Sequence, residues 1–258
     1  CAGRCGPFAH SRPSRRGSGG QFRHCGEERR ILGVRADFTL DPAEIERVMS
    51  RDTPAVTFLC NPNNPTGVVE PRDNLEVLLQ AAPGLVVVDE AYAEFSDWTA
   101  APMVRDDLPL VVTRTFSKTL SLAALRVGYV VAPRRVVEAL EVAALPYHLD
   151  SFKQAATLAA LAHTDEMTAR VAEIKAQRAR ISGGLAAVGC EVWPSGANFV
   201  LFRPASGDAA AVWQGLLDRG ILVRDCSGWP RLAGCLRVTV GTDVENSAFL
   251  AAMAELSA

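Results

Sequence analysis

The 258 residues are 48 % hydrophobic and 22 % charged with a formal net charge of −2 at pH 7, which describes a globular chain of one large domain or two smaller ones and excludes wholesale disorder. Basic and acidic side chains nearly balance at 27 and 29, so no whole-chain field draws in nucleic acid or an anionic membrane, and small molecules are the expected ligands. Seven scattered cysteines without paired CxxC spacing read as reduced thiols rather than a metal site, and neither a membrane span nor a signal peptide is legible, so the cytoplasm is the default location.

In chain order, residues 1–30 stand apart. They hold seven arginines (Arg4, Arg12, Arg15, Arg16, Arg23, Arg29 and Arg30) against two acids, Glu27 and Glu28, with Gly, Ser and Pro throughout and no hydrophobic period. A basic tail and a metal cluster of Cys1, Cys5, His10, His24 and Cys25 compete here with sequence foreign to the fold. The irregular spacing disfavours zinc. The segment is left unassigned, with an incomplete or mis-framed N-terminus as the expectation, since the chain begins with Cys1.

From residue 41 helix-like and strand-like segments alternate. Asp41-Pro42 opens an amphipathic helix to about Ser50, followed by an apolar strand over 55–60. Residues 71–81 read as a helix, and Leu85-Val86-Val87-Val88 as a buried strand ending at Asp89-Glu90. Residues 110–113 and 127–132 are two more strands, rich in β-branched side chains. Strands apolar on both faces and separated by helices predict the α/β class, a mostly parallel sheet sandwiched by helices, with ligands beyond the strands' carboxyl ends. After Pro146 the texture becomes Ala-rich: a helix over 152–162 and a long one over 165–187 that Gly183-Gly184 is expected to break. Strand, helix, strand and helix follow at 198–202, 208–218, 236–240 and the C-terminus. These divide the chain into a large domain over 31–150 and a smaller α+β domain over 151–258.

Three clusters at predicted strand ends carry chemistry. Asn61-Pro62-Asn63-Asn64-Pro65-Thr66-Gly67 is by itself a turn, built from the residues a reversing backbone needs. Asp89 closes an apolar strand, with Tyr92 three residues on. A carboxylate there either caps a helix or faces a cation, because burial without a partner is costly. Arg114-Thr115-Phe116-Ser117-Lys118 precedes Arg126, and a lone Lys in such a loop is ordinarily a solvated surface residue.

In this order and at these strand ends, the three clusters together resemble the fold-type I, pyridoxal-phosphate-dependent aminotransferases. The resemblance implies that Lys118 carries pyridoxal 5'-phosphate as a Schiff base and later serves as general base, and that Asp89 pairs with the pyridinium nitrogen. It implies that Asn64 and Tyr92 bond the ring's phenolate oxygen and that Ser117 and Arg126 hold the phosphate, with Thr115 a weaker candidate. Those residue types suit the chemistry: an amine to condense with an aldehyde, a carboxylate to keep a ring cationic, and hydroxyl and guanidinium donors for a dianion.

Within that family, the 62–67 turn, Leu145-Pro146-Tyr147-His148-Leu149, Ala197-Asn198-Phe199-Val200-Leu201-Phe202, residues 216–225 and residues 234–242 are similar to histidinol-phosphate aminotransferases. The resemblance implies substrate-facing roles for Arg224 and Arg237, a small-molecule amino donor with a 2-oxo acid acceptor, and a homodimer. Aromatic amino-acid aminotransferases and threonine-phosphate decarboxylases share the catalytic motif and stay open as alternatives. The N-terminal portion that the family normally carries, with a further phosphate-binding turn and a stacking aromatic ring, has no match here. A non-catalytic truncated fragment is therefore a second hypothesis.

Overall fold

The computed structural model describes residues 32–257. The Arg-rich segment, with Cys1, Cys5, His10, His24 and Cys25, lies outside the described residues. Helix α1 (Pro42–Asp52) begins where expected: the Asp41 side chain accepts from Ala43 N, and Pro sits in the first turn, where its missing N–H costs nothing. Strand β1 (Val56–Cys60), helix α2 (Arg72–Ala81), β2 (Leu85–Asp89), β3 (Leu110–Thr115) and β4 (Gly128–Val131) follow, and the sheet order is β1-β2-β3-β4. The β1–β2 and β2–β3 pairings are parallel, as expected.

The β3–β4 pairing is antiparallel. A parallel return needs a long crossover, usually a helix. Between Thr115 and Gly128 the chain forms only a 3-10 turn over Ala123–Leu125, so β4 comes back in the opposite sense. The adjacent backbones are close: a Cβ on Gly128 would sit 2.6 Å from the Arg114 carbonyl oxygen.

Helices α1 and α2 bury Ile45, Val48, Met49, Leu75, Leu78 and Leu79 against the sheet face that carries Leu59, Val86, Val88, Leu110 and Val112. Each such fully buried Leu or Ile stabilises the fold by about 1.5–3 kcal/mol relative to exposure. On the other face Phe58 is 59 % exposed. Helix α3 (Arg134–Ala143), which the sequence reading did not single out, buries no side chain.

The rest of the chain builds a second sheet. Helices α4 (Ser151–Leu161) and α5 (Thr164–Ala187) lead into β5 (Glu191–Val192), β6 (Phe199–Arg203), α6 (Ala209–Asp218), β7 (Arg224–Asp225), β8 (Leu236–Thr239) and α7 (Asp243–Leu256). The strand order is β5-β6-β8-β7, antiparallel throughout. Its core joins Ile181 and Leu185 of α5, Val212 and Leu216 of α6 and Phe249 and Met253 of α7 to Val200, Phe202 and Leu236. A capping box between Thr242 and Glu245 starts α7.

Against expectation, α5 runs unbroken through Gly183-Gly184. The glycine serves packing rather than termination: a Cβ on Gly184 would lie 2.5 Å from Leu250 Cδ2 of α7, so a bare backbone lets the two helices approach. Cys190, Cys226 and Cys235 are free thiols. Burial pushes the Cys226 thiol up to about 11, which keeps it protonated and unreactive at neutral pH. Among the described residues no helix is long and apolar enough to cross a membrane, and no cluster of His, Cys, Asp or Glu is arranged to hold a metal ion.

Candidate functional site

The carboxyl ends of β1, β2 and β3 deliver three loops to one place. After β1, Asn61 N donates to Asp89 O (2.9 Å) and Asn61 Oδ1 accepts from Glu70 N (2.8 Å), tying the 61–67 turn to the end of β2. Within the turn Gly67 N donates to Asn63 O (2.7 Å) and Thr66 Oγ1 donates to Asn63 Oδ1 (3.0 Å). Gly67 has φ +77°, a left-handed backbone that favours glycine.

Asp89 ends β2 half-buried, its Oδ1 accepting from Ala91 N at 3.1 Å. Burial pushes its carboxyl above the ordinary value of 3.8, while the Ala91 bond and the charge of Lys118 pull it back. Tyr92 is buried, and the Lys118 ammonium stands 5.1 Å from its ring centroid. Lys118 is exposed and forms no ion pair with a carboxylate among the described residues. Asp89, Tyr92 and Lys118 thus come together from two neighbouring loops.

The second sheet closes the other side. Phe199, at the start of β6, meets the Tyr92 ring edge-on at 5.2 Å, and the Arg237 guanidinium of β8 lies 4.6 Å over the Phe199 ring. Arg237 Nη1 donates to Asn64 Oδ1, while its Nε is buried without a partner. Burial lowers the Arg237 pKa from its ordinary value. Arg224 lies directly opposite Arg237 in the β7–β8 register and is exposed, with no carboxylate paired to it among the described residues. Two like charges facing each other across a strand pair repel, and an anion between them relieves that cost.

The Thr115 hydroxyl donates to Ser117 Oγ at 2.8 Å and accepts from Ser117 N at 3.1 Å, a short hydroxyl-lined hook before Lys118. Arg126 is not joined to it. The residue is in the left-handed region at φ 58°, exposed, and its Nη1 donates to Ala123 O at 3.0 Å.

Sequence reasoning missed four groups that organise the site. Phe199 lies inside a quoted stretch but was not assigned a place between Tyr92 and Arg237. Glu90 and Arg114 sit inside quoted motifs and form a buried ion pair at 2.7 Å. Arg178 of α5 donates to Phe95 O (3.0 Å) and Ala197 O (2.8 Å), stitching the two sheets together. Adjacency to Asp89 and to Ser117-Lys118 was the only sequence signal for the ion pair, and Arg178 had none, because its partners are backbone carbonyls.

Close backbone contact reinforces that seam: Gly196 N donates to Gly67 O at 2.7 Å, and a Cβ on Gly196 would collide with Val69 Cγ2. Gly196→Ala should therefore cost about 1–3 kcal/mol of stability through overpacking. It should also loosen the Asn64–Arg237 contact that the seam supports. Urea unfolding checks the first effect, and an unchanged denaturation midpoint would refute it.

The profile of the family described as aminotransferase class I and II matches residues 16–253 of this chain. A histidinol-phosphate aminotransferase of Frankia casuarinae is 48 % identical over 232 residues, covering 86 % of this chain and 57 % of that protein. One of Streptomyces avermitilis is 46 % identical over 232 residues, covering 88 % and 62 %. The chain thus spans less than two thirds of the length of these curated relatives. Among solved structures, the histidinol-phosphate aminotransferase of Sinorhizobium meliloti in complex with pyridoxal-5'-phosphate is similar at TM-score 0.78 and 29 % identity, over 88 % of this chain and 63 % of that one. The L-threonine-O-3-phosphate decarboxylase of Porphyromonas gingivalis follows at TM-score 0.69 and 26 % identity, over 78 % and 64 %.

Proposed function

Because this chain belongs to the aminotransferase class I and II family, we propose that it is the catalytic and C-terminal part of a pyridoxal-phosphate-dependent histidinol-phosphate aminotransferase. The reaction is transfer of the amino group of histidinol phosphate to 2-oxoglutarate, giving imidazole-acetol phosphate and glutamate, a step of histidine biosynthesis. The observation that carries this reading is the convergence of Asp89, Tyr92 and Lys118 with Asn64 and Arg237 at one seam between the two sheets.

These residues fit the cofactor. An amine that forms no ion pair among the described residues, a half-buried carboxylate electrostatically coupled to it, and a hydroxyl pair beside it match an aldehyde, a ring nitrogen and a phosphate. When bound, pyridoxal 5'-phosphate supplies the carbonyl that condenses with amines and the cationic ring that takes up the electrons left by the Cα proton. Lys118 would hold the cofactor through its amine, and as a free amine it would be placed to move the proton at the substrate's Cα. Asp89 would hold the ring nitrogen protonated. Tyr92 and Asn64 would donate to the ring oxygen, the amide of Asn64 being oriented by Arg237, which occupies its Oδ1. Ser117 and Arg126 would hold the cofactor phosphate, which for Arg126 requires giving up its bond to Ala123 O.

Arg224 and Arg237, opposed in register, supply two guanidinium groups for an anionic substrate and favour a phosphorylated one. The reading carries with it a cytoplasmic homodimer acting on a small-molecule amino donor and a 2-oxo acid, without nucleic acid or membrane. Exposed Leu145, Tyr147 and Phe152 support a surface that faces a second subunit.

The test is a spectrum of the purified chain with added pyridoxal phosphate, followed by single additions of histidinol phosphate, threonine phosphate and phenylalanine. The expected outcome is conversion of the bound-cofactor band by histidinol phosphate at least about tenfold more efficiently than by the other two. Preference for threonine phosphate or phenylalanine would move the assignment to the decarboxylase or the aromatic aminotransferase. A folded chain that binds no cofactor would make it a non-catalytic fragment.

A further inference from the structure

The end of β2 carries two acids with opposite fates. Asp89 pairs in register with Thr113 and emerges on the site face, whereas Glu90, the next residue, turns to the face covered by the helices. The Glu90 carboxylate is fully buried, and the Arg114 side chain that meets it is 17 % exposed. Glu90 Oε2 accepts from Arg114 Nη2 (2.7 Å), Arg114 Nε (3.0 Å) and Thr99 Oγ1 (2.6 Å), and Glu90 Oε1 accepts from Ala100 N (2.5 Å). Glu94 adds a longer contact to Arg114 at 3.5 Å.

We propose that the Glu90–Arg114 pair is a positioning device: it pins the end of β2, which carries Asp89 and Tyr92, to the end of β3, which carries Ser117 and Lys118. The pair spans the two strands one residue beyond the Asp89–Thr113 register position, where Glu90 N also donates to Thr113 O at 2.9 Å. From Glu90 the chain reaches Asp89 in one residue and Tyr92 in two, and from Arg114 it reaches Lys118 in four. A displacement at the pair therefore passes to the separation between the carboxylate and the amine with few free torsions between. A buried pair contributes little net stability, since desolvation opposes its attraction, so its value lies in geometry. The two-pronged approach of the guanidinium fixes orientation as well as distance, which an ammonium does not.

The inference rests on the proposed function, and its test separates the two. The chain, Glu90→Gln, Arg114→Lys and the double variant Glu90→Gln/Arg114→Met are loaded with pyridoxal 5'-phosphate. The pH midpoint of the bound-cofactor absorbance, kcat and KM for the amino donor are then measured. Leu78→Ala, in the core under α2 and away from the site, serves as a control destabilised for packing reasons alone.

The expected result is a midpoint shift of about half a pH unit or more in the pair variants, through the altered separation of Asp89 from Lys118. With it, kcat should fall about tenfold or more while KM changes less than about threefold. Leu78→Ala should lower the melting temperature and leave the midpoint in place. The double variant removes both charges of the pair and takes from Glu94 only its longer contact, so it reports on geometry if the single variants fold poorly. Pair variants that melt lower yet keep the parent midpoint and kcat would overturn the proposal and leave the functional reading standing. A parent chain with no Lys118 adduct would overturn both.

Discussion

Lys118→Ala is expected to abolish the covalent cofactor adduct and to lower transamination by at least about three orders of magnitude, since general base catalysis alone contributes about 10²–10⁴-fold and covalent capture is lost with it. The same change should hardly touch the fold. Lys118 is exposed, and besides its charge acting on Asp89 it meets the Tyr92 ring 5.1 Å from its ammonium, a contact worth about 0.5–1 kcal/mol at an exposed position. Borohydride trapping with peptide mapping reads the adduct, and thermal melting reads the fold. An adduct that survives in Lys118→Ala at full yield would transfer the role to another amine. A melting temperature that collapses would instead make Lys118 structural.

Asp89→Asn should separate function from stability in opposite directions. Removing a buried charge from a site whose partner is cationic costs about 2–5 kcal/mol, so activity should fall by roughly two to three orders of magnitude. Stability without cofactor runs the other way. Burial raises the Asp89 pKa in the folded chain above 3.8, so the protonated form is the one folding favours. The stability this group contributes is present below pH 3.8 and lost as pH rises through the folded value. Asn keeps the acceptor for Ala91 N and carries no charge, so cofactor-free Asp89→Asn should melt above the parent at pH 7, with the gap closing near pH 4. A variant that melts below the parent at both pH values would show that the Asp89 charge is compensated within the chain itself.

Local chemistry made much of this legible. The caps and apolar periods of α1 and α2, and the β-branched runs of β1 to β3, are short-range signals, and the structure returned them within a residue or two. The three loops were readable because turn residues, a terminal acid and a lysine beside hydroxyls are unusual things to find in succession at strand ends. The two-residue strands β5 and β7 are too short to show a period, and α3 was passed over. The expected break at Gly183-Gly184 failed because propensity alone cannot tell a helix stop from a close helix crossing, and Leu250, some 66 residues away in sequence, decides between them.

By itself, then, the sequence determined the α/β class and the order of the strand-end motifs, and it singled out Lys118, Asp89, Arg224 and Arg237 as candidates. Only the tertiary structure decided the direction of β4, the stacking of Phe199 between Tyr92 and Arg237, the stitching by Arg178, and the burial of Glu90 against Arg114. Each of these depends on contacts between residues distant in the chain or on which strand face a side chain occupies. A period read along the chain fixes alternation, while burial follows from the element that comes to lie on top.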